Sequence, residues 1–111
     1  MSELAQRKCE ACEGGTLPLS PEEVEAYRGQ IDPAWEVVDD GKGIRRRFKF
    51  GDFNAAFGFT ARVALLAESE GHHPDVELGW GRVVLDLTTH AAGGLTDNDF
   101  IMAAKIDGLS A

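Results

Sequence analysis

The chain has 111 residues, enough for one domain around one modest core. It is 43% hydrophobic and 27% charged, the balance of a globular protein rather than a disordered one. Nineteen acids against eleven bases give a net charge of -8, which works against nonspecific attraction to nucleic-acid phosphates.

The opening MSELAQRKCE lacks the apolar core of a signal peptide, and no apolar run in the chain approaches the roughly 20 residues that span a bilayer. A cytoplasmic location is the expectation. Residues 1–18 carry Gly14, Gly15 and Pro18 without periodicity and read as a flexible N-terminal arm, with the domain proper over 19–111. The two cysteines, Cys9 and Cys12, form C-x-x-C inside this arm. A structural zinc site wants four ligands, so the pair is a redox motif, half of a metal site, or a pair with no essential role.

In LSPEEV, Ser20 suits a helix cap, Pro21 the first helical position and Glu23 the return arm of a capping box. Leu19 and Val24 take the staple positions. The first helix is predicted to end near Arg28 and Gly29. AWEVVDDGKGIRRRFKF reads as a hairpin, with a strand over 35–38, a turn at DDGKG and a strand over 44–50. On the second strand Ile44, Arg46, Phe48 and Phe50 share one face and Arg45, Arg47 and Lys49 the other. Five bases lie between Lys42 and Lys49, forming either a solvated strand face or a site for an anionic ligand or partner.

DFNAAFGFTARVALLAES is the strongest helix, capped by Asp52. Its polar stripe is narrow (Asn54, Gly58, Arg62), so it needs two surfaces to bury against. One is the domain's own sheet; the other suggests a partner subunit related by symmetry. GRVVLDLTTH is a strand with Val83, Leu85, Leu87 and Thr89 on one side. GGLTDNDFIMAAKI closes the chain as a helix, with Thr96 as cap, Asp99 at the box position and Leu95 and Phe100 as the staple. The order α-β-β-α-β-α gives an α+β fold: an antiparallel sheet with helices on one face.

All three histidines remain to be placed. His72 and His73 follow the long helix and Gly71, and Pro74 keeps His73 out of helical conformation. His90 ends the last strand. A site where a helix end meets a strand end could gather all three rings. Imidazole moves protons near neutral pH, and two rings can divide acid and base roles. Taken alone, the spacing leaves that reading open beside a three-histidine metal site and beside plain structural hydrogen bonding. Glu68 stands four residues before His72, either fixing a ring's tautomer or lying free on the surface. Asp99 is also well placed simply to cap its helix.

E-x-x-x-H-H-P at Glu68–Pro74, then Trp80, His90 and Asp99, resembles the signature of the pterin-4a-carbinolamine dehydratase family. The stretch from Asp52 to Glu68, Trp35 and the closing GGLTDND resemble it too, so that the likeness covers about residues 20–107. The resemblance implies an antiparallel sheet with helices on one side, and association into a homodimer or homotetramer. The implied reaction is loss of water from a 4a-hydroxytetrahydropterin to give quinonoid dihydropterin, which recycles the cofactor of aromatic amino acid hydroxylases. No metal or organic cofactor is implied.

By the same resemblance His72, His73 and His90 surround the pterin as acid and base, Gly71, Thr88 and Thr89 contact it, and Glu68 and Asp99 line the site. Two positions depart from animal members. Asp75 and Val76 replace a bulkier pair, and Asn98 stands where those relatives carry arginine, a change expected to alter contacts to the substrate side chain. The family also includes a dimerisation partner of a transcription factor, and dehydratase-like assembly factors for a large carboxylase that tend to lose the histidine motif. A binding or assembly protein is therefore the alternative reading.

Overall fold

A computed structural model describes residues 3–10 and 16–109. Helix α1 spans Glu3–Gln6, α2 Pro21–Arg28, α3 Phe53–Glu70 and α4 Asp97–Leu109. The strands are β1 Glu36–Val38, β2 Gly43–Lys49, β3 Asp75–Gly79 and β4 Arg82–Leu87. The sheet is antiparallel throughout, in the order β1-β2-β4-β3. No helix among the described residues is long and apolar enough to cross a membrane.

Local signals explain most element boundaries. Ser20 Oγ accepts from the Glu23 N–H and the Glu23 carboxylate accepts from the Ser20 N–H, completing the capping box of α2. Asp52 caps α3 by accepting from the Ala55 N–H at 2.8 Å. Facing the helices, the sheet presents Ile44, Phe48, Val83, Leu85 and Leu87, all buried, and Phe59 of α3 packs 4.6 Å from the Phe48 ring. Ile44 pairs with Leu87 and Phe48 with Val83, so the inward residues of the two central strands sit opposite one another. Ala56, Phe59, Val63 and Ala67 form the buried stripe of α3, while Phe53, Phe57 and Leu65 are exposed.

The outer basic face is charge-balanced: Arg45 pairs with Asp86 at 2.7 Å, Arg47 with Glu36 at 3.3 Å and Arg82 with Glu77 at 3.0 Å. Arg46 points inward to Asp107 at 2.6 Å. Asp107 also accepts from the Trp35 indole N–H at 2.7 Å and the Asp32 N–H at 2.9 Å.

The fold class is as expected, but the element order gains members. Strand β3 was not foreseen. It has only two apolar residues on the helix-facing side, the exposed Val76 and the half-buried Leu78, between outward acids, and turns into β4 through Trp80 and Gly81 alone. The expected flexible arm also needs correction. Residues 3–6 form α1 against α4, with Leu4 only 2% exposed, because Leu4 gives the segment an apolar anchor. Cys12 lies outside the described residues.

Candidate active site

The end of α3 delivers the first two histidines. Gly71 closes the helix in the left-handed conformation (φ 67°, ψ 23°), its N–H donating to the Ala67 carbonyl. The His72 N–H donates to the same carbonyl at 3.3 Å. Past this corner the chain extends through Pro74 into β3, and consecutive side chains diverge: His72 turns inward and His73 outward, where its side chain is 58% exposed. The end of β4 supplies Thr88, Thr89 and, at the start of a short 3-10 turn, His90. Thr89 and Gly94 exchange two backbone hydrogen bonds that close the loop leading to α4.

Asp99 joins these two corners. It is fully buried at position N3 of α4. Its Oδ2 accepts from the Thr96 N–H at 3.0 Å and from the Thr89 hydroxyl at 2.8 Å; its Oδ1 lies 2.6 Å from His72 Nε2. One oxygen of Asp99 thus caps its helix and the other meets His72. The Thr96 hydroxyl, expected to cap α4, instead meets the Thr89 hydroxyl at 2.8 Å. Since Thr89 spends its single proton on Asp99, Thr96 must be the donor. Against an ionised Asp99, His72 Nε2 carries a proton, leaving Nδ1 as the ring's variable nitrogen.

His73 Nε2 lies 2.7 Å from Glu68 Oε1 in an exposed pair. His90 makes no side-chain hydrogen bond among the described residues. A cavity of about 310 Å³ is lined by Gly71, His72, His73, Thr88, Thr89 and His90 together with Ala91, Asn98 and Glu10. The expected rings and contact residues therefore meet around one space. Glu68 and Asp99, expected to line it, stand behind His73 and His72 and brace them.

Two features escaped sequence reasoning. Asn98 is 6% exposed, and its amide holds the main chain of Glu10 at both ends, which brings Glu10 to the cavity. Nothing in the spacing signals a contact between residues so far apart in the chain. Cys9 is half-buried with its sulfur 3.6 Å from the Asn98 carbonyl; burial, seconded by Glu70, pushes its thiol up to about 12. Among the described residues, no group of three or more histidines, cysteines or acids is arranged to hold a metal ion.

The family model for pterin 4 alpha carbinolamine dehydratase matches residues 17–109. The chain belongs to this family. A relative from Rubrobacter xylanophilus, provisionally named pterin-4-alpha-carbinolamine dehydratase, is 49% identical over 109 residues, covering 98% of this chain and all of the relative. Another of the same provisional name, from Alkaliphilus metalliredigens, is 45% identical over 96% of each chain. The crystal structure of a transcriptional coactivator/pterin dehydratase from Brucella melitensis superposes with a TM-score of 0.79 at 38% identity, covering 85% of this chain and 99% of that one. A pterin dehydratase-like RuBisCO assembly factor of the alpha-carboxysome shares the fold, with a TM-score of 0.61 at 24% identity over 70% of this chain and 90% of that one.

Proposed function

We propose that this protein dehydrates a 4a-hydroxytetrahydropterin, the pterin-4a-carbinolamine, to quinonoid dihydropterin, in the cytoplasm and in the service of tetrahydropterin recycling. The observation that carries this reading is the meeting of His72, His73 and His90 on one cavity, with His72 braced by a buried carboxylate. Hydroxide is a poor leaving group, so the C4a–O bond breaks as an acid protonates the oxygen and water departs. The N5–H proton passes to a base, and the nitrogen lone pair becomes the N5=C4a double bond. The balance needs no redox partner.

We assign the acid to His72. With Nε2–H given to Asp99, a second proton on Nδ1 makes the ring an imidazolium whose charge the carboxylate offsets. His90, whose ring makes no hydrogen bond among the described residues, is assigned as the base, and His73 as the ring that holds the substrate edge. Thr88 and Gly71 complete the contact surface. The protein acts as a homodimer or homotetramer, and the exposed Phe53, Phe57 and Leu65 on α3 supply the apolar face for it.

Purified protein should speed the decay of chemically prepared 4a-hydroxytetrahydropterin, and His72→Ala or His90→Ala should slow it by about 10²–10⁴-fold. Wild-type protein that leaves the spontaneous rate unchanged refutes the reading. A triple histidine variant that kept full rate and captured a protein partner would instead support a binding or assembly role.

A further inference from the structure

The N-terminal segment is fastened across the ends of α3 and α4 by side chains that grip its main chain. Lys105 Nζ donates to the Ala5 carbonyl at 2.8 Å. The Cys9 N–H donates to Glu70 Oε1 at 2.8 Å. Asn98 Oδ1 accepts from the Glu10 N–H at 3.0 Å, and Asn98 Nδ2 donates to the Glu10 carbonyl at 2.6 Å. Leu4 anchors the other end of the segment in the core. The backbone of residue 10 is thus fixed at two points while its side chain is left unused. Among the described residues the Glu10 carboxylate makes no hydrogen bond or ion pair. Glu10 nevertheless lines the same cavity as the three histidines. The carboxylates behind two of these histidines are committed, Asp99 to His72, Thr89 and Thr96, and Glu68 to His73.

We propose that Glu10 is a substrate-binding residue, its carboxylate accepting from the N3–H and 2-amino groups of the pterin. This rests on the pterin reading of the cavity. The 2-amino-4-oxo edge of a pterin offers two parallel N–H donors, and a carboxylate offers two acceptors at matching spacing, the geometry of its bidentate pairing with guanidinium. Bound this way, the ring is oriented by a group that takes no part in proton transfer. Asn98 then acts as a positioning residue, since it places Glu10 without needing to touch the substrate.

The test compares wild type with Glu10→Gln, which keeps size and the backbone clamp but removes the charge and one acceptor. KM should rise roughly tenfold or more, the scale of a lost hydrogen bond to a charged group, with kcat within about twofold and the melting temperature unchanged. An analogue with oxygen in place of the 2-amino group should be rejected by wild type and rejected less strongly by Glu10→Gln. Unchanged KM and unchanged discrimination in the variant, or an equal loss of kcat with lower thermal stability, would overturn the assignment. Failure of the pterin reading is visible separately, as wild-type protein without dehydratase activity. In that case calorimetric titration with 7,8-dihydrobiopterin decides: tighter binding by wild type than by Glu10→Gln sustains the role, and equal or absent binding ends it.

Discussion

His72 Nε2 and Asp99 Oδ1 stand 2.6 Å apart, and the same carboxylate caps α4 through its second oxygen. An amide cannot serve both partners as an acceptor. Asp99→Asn should therefore leave His72 with the wrong tautomer or without its brace, and kcat should fall by about 10²–10⁴-fold. Asp99→Ala also strips the acceptor from Thr89 and from the Thr96 N–H, at a cost of about 1–3 kcal/mol. Denaturant titration beside steady-state kinetics separates the two effects; a variant with wild-type kcat removes His72 from proton transfer.

The pair formed by Glu68 and His73 is 2.7 Å long but lies in solvent. Exposed ion pairs contribute little, since water and salt screen them. Glu68→Gln should leave the melting temperature where it is and reduce kcat/KM far less than Asp99→Asn. A loss equal to that of the Asp99 variant would mean that His73 needs its carboxylate as much as His72 does.

Asp107 holds Arg46, the Trp35 indole and the Asp32 N–H, none of which lines the histidine cavity. Removing Asp107 leaves the mostly buried Arg46 with only its longer contact to Asp32, at 3.6 Å, and strips the acceptor from the Trp35 indole. Asp107→Ala should destabilise the fold by about 3 kcal/mol in urea unfolding while the surviving folded fraction keeps its kcat. Unfolding at the wild-type midpoint would show that the cluster is replaceable by water.

Burial raises the Cys9 thiol from its ordinary value of 9.0 to about 12. The folded protein should therefore alkylate Cys9 much more slowly at pH 8 than the unfolded chain does, as followed by peptide mass spectrometry. For stability the sign follows from proton counting. Between about pH 9 and about 12 the unfolded chain has lost this proton and the folded one keeps it, so this contribution is complete below pH 9 and fades as pH rises toward 12. The stability difference between wild type and Cys9→Ala should shrink across that window. A gap independent of pH would place the thiol in water.

Phe57 and Leu65 are 54% and 73% exposed on α3. If they form the seam between copies, Phe57→Glu with Leu65→Glu should halve the mass in sedimentation velocity. An unaltered mass would move the seam elsewhere.

Where a residue's environment is set by its near neighbours, the sequence was readable. Ser20, Pro21 and Glu23 announce α2, and the alternation from Val83 to Thr89 announces β4 and its inward face. The histidine pair and Asp99 were legible as a candidate site through family likeness rather than through spacing, which favoured plain capping and structural hydrogen bonding. Strand β3 was missed because an edge strand needs little apolar content: its acids face out and its N-terminal residue follows a proline. The N-terminal segment was misjudged for a different reason. Its grip comes from Glu70, Asn98 and Lys105 on its main chain, and backbone groups carry no sequence signature.

The left-handed corner at Gly71 has an outcome for how this chain can vary. It sets which of two adjacent, chemically identical rings meets the buried acid and which meets water. Adding or deleting a single residue there would exchange their stations while leaving the composition of the pocket almost untouched. Length between Gly71 and Pro74, more than the identity of the amino acids themselves, is what keeps the two imidazoles in different occupations.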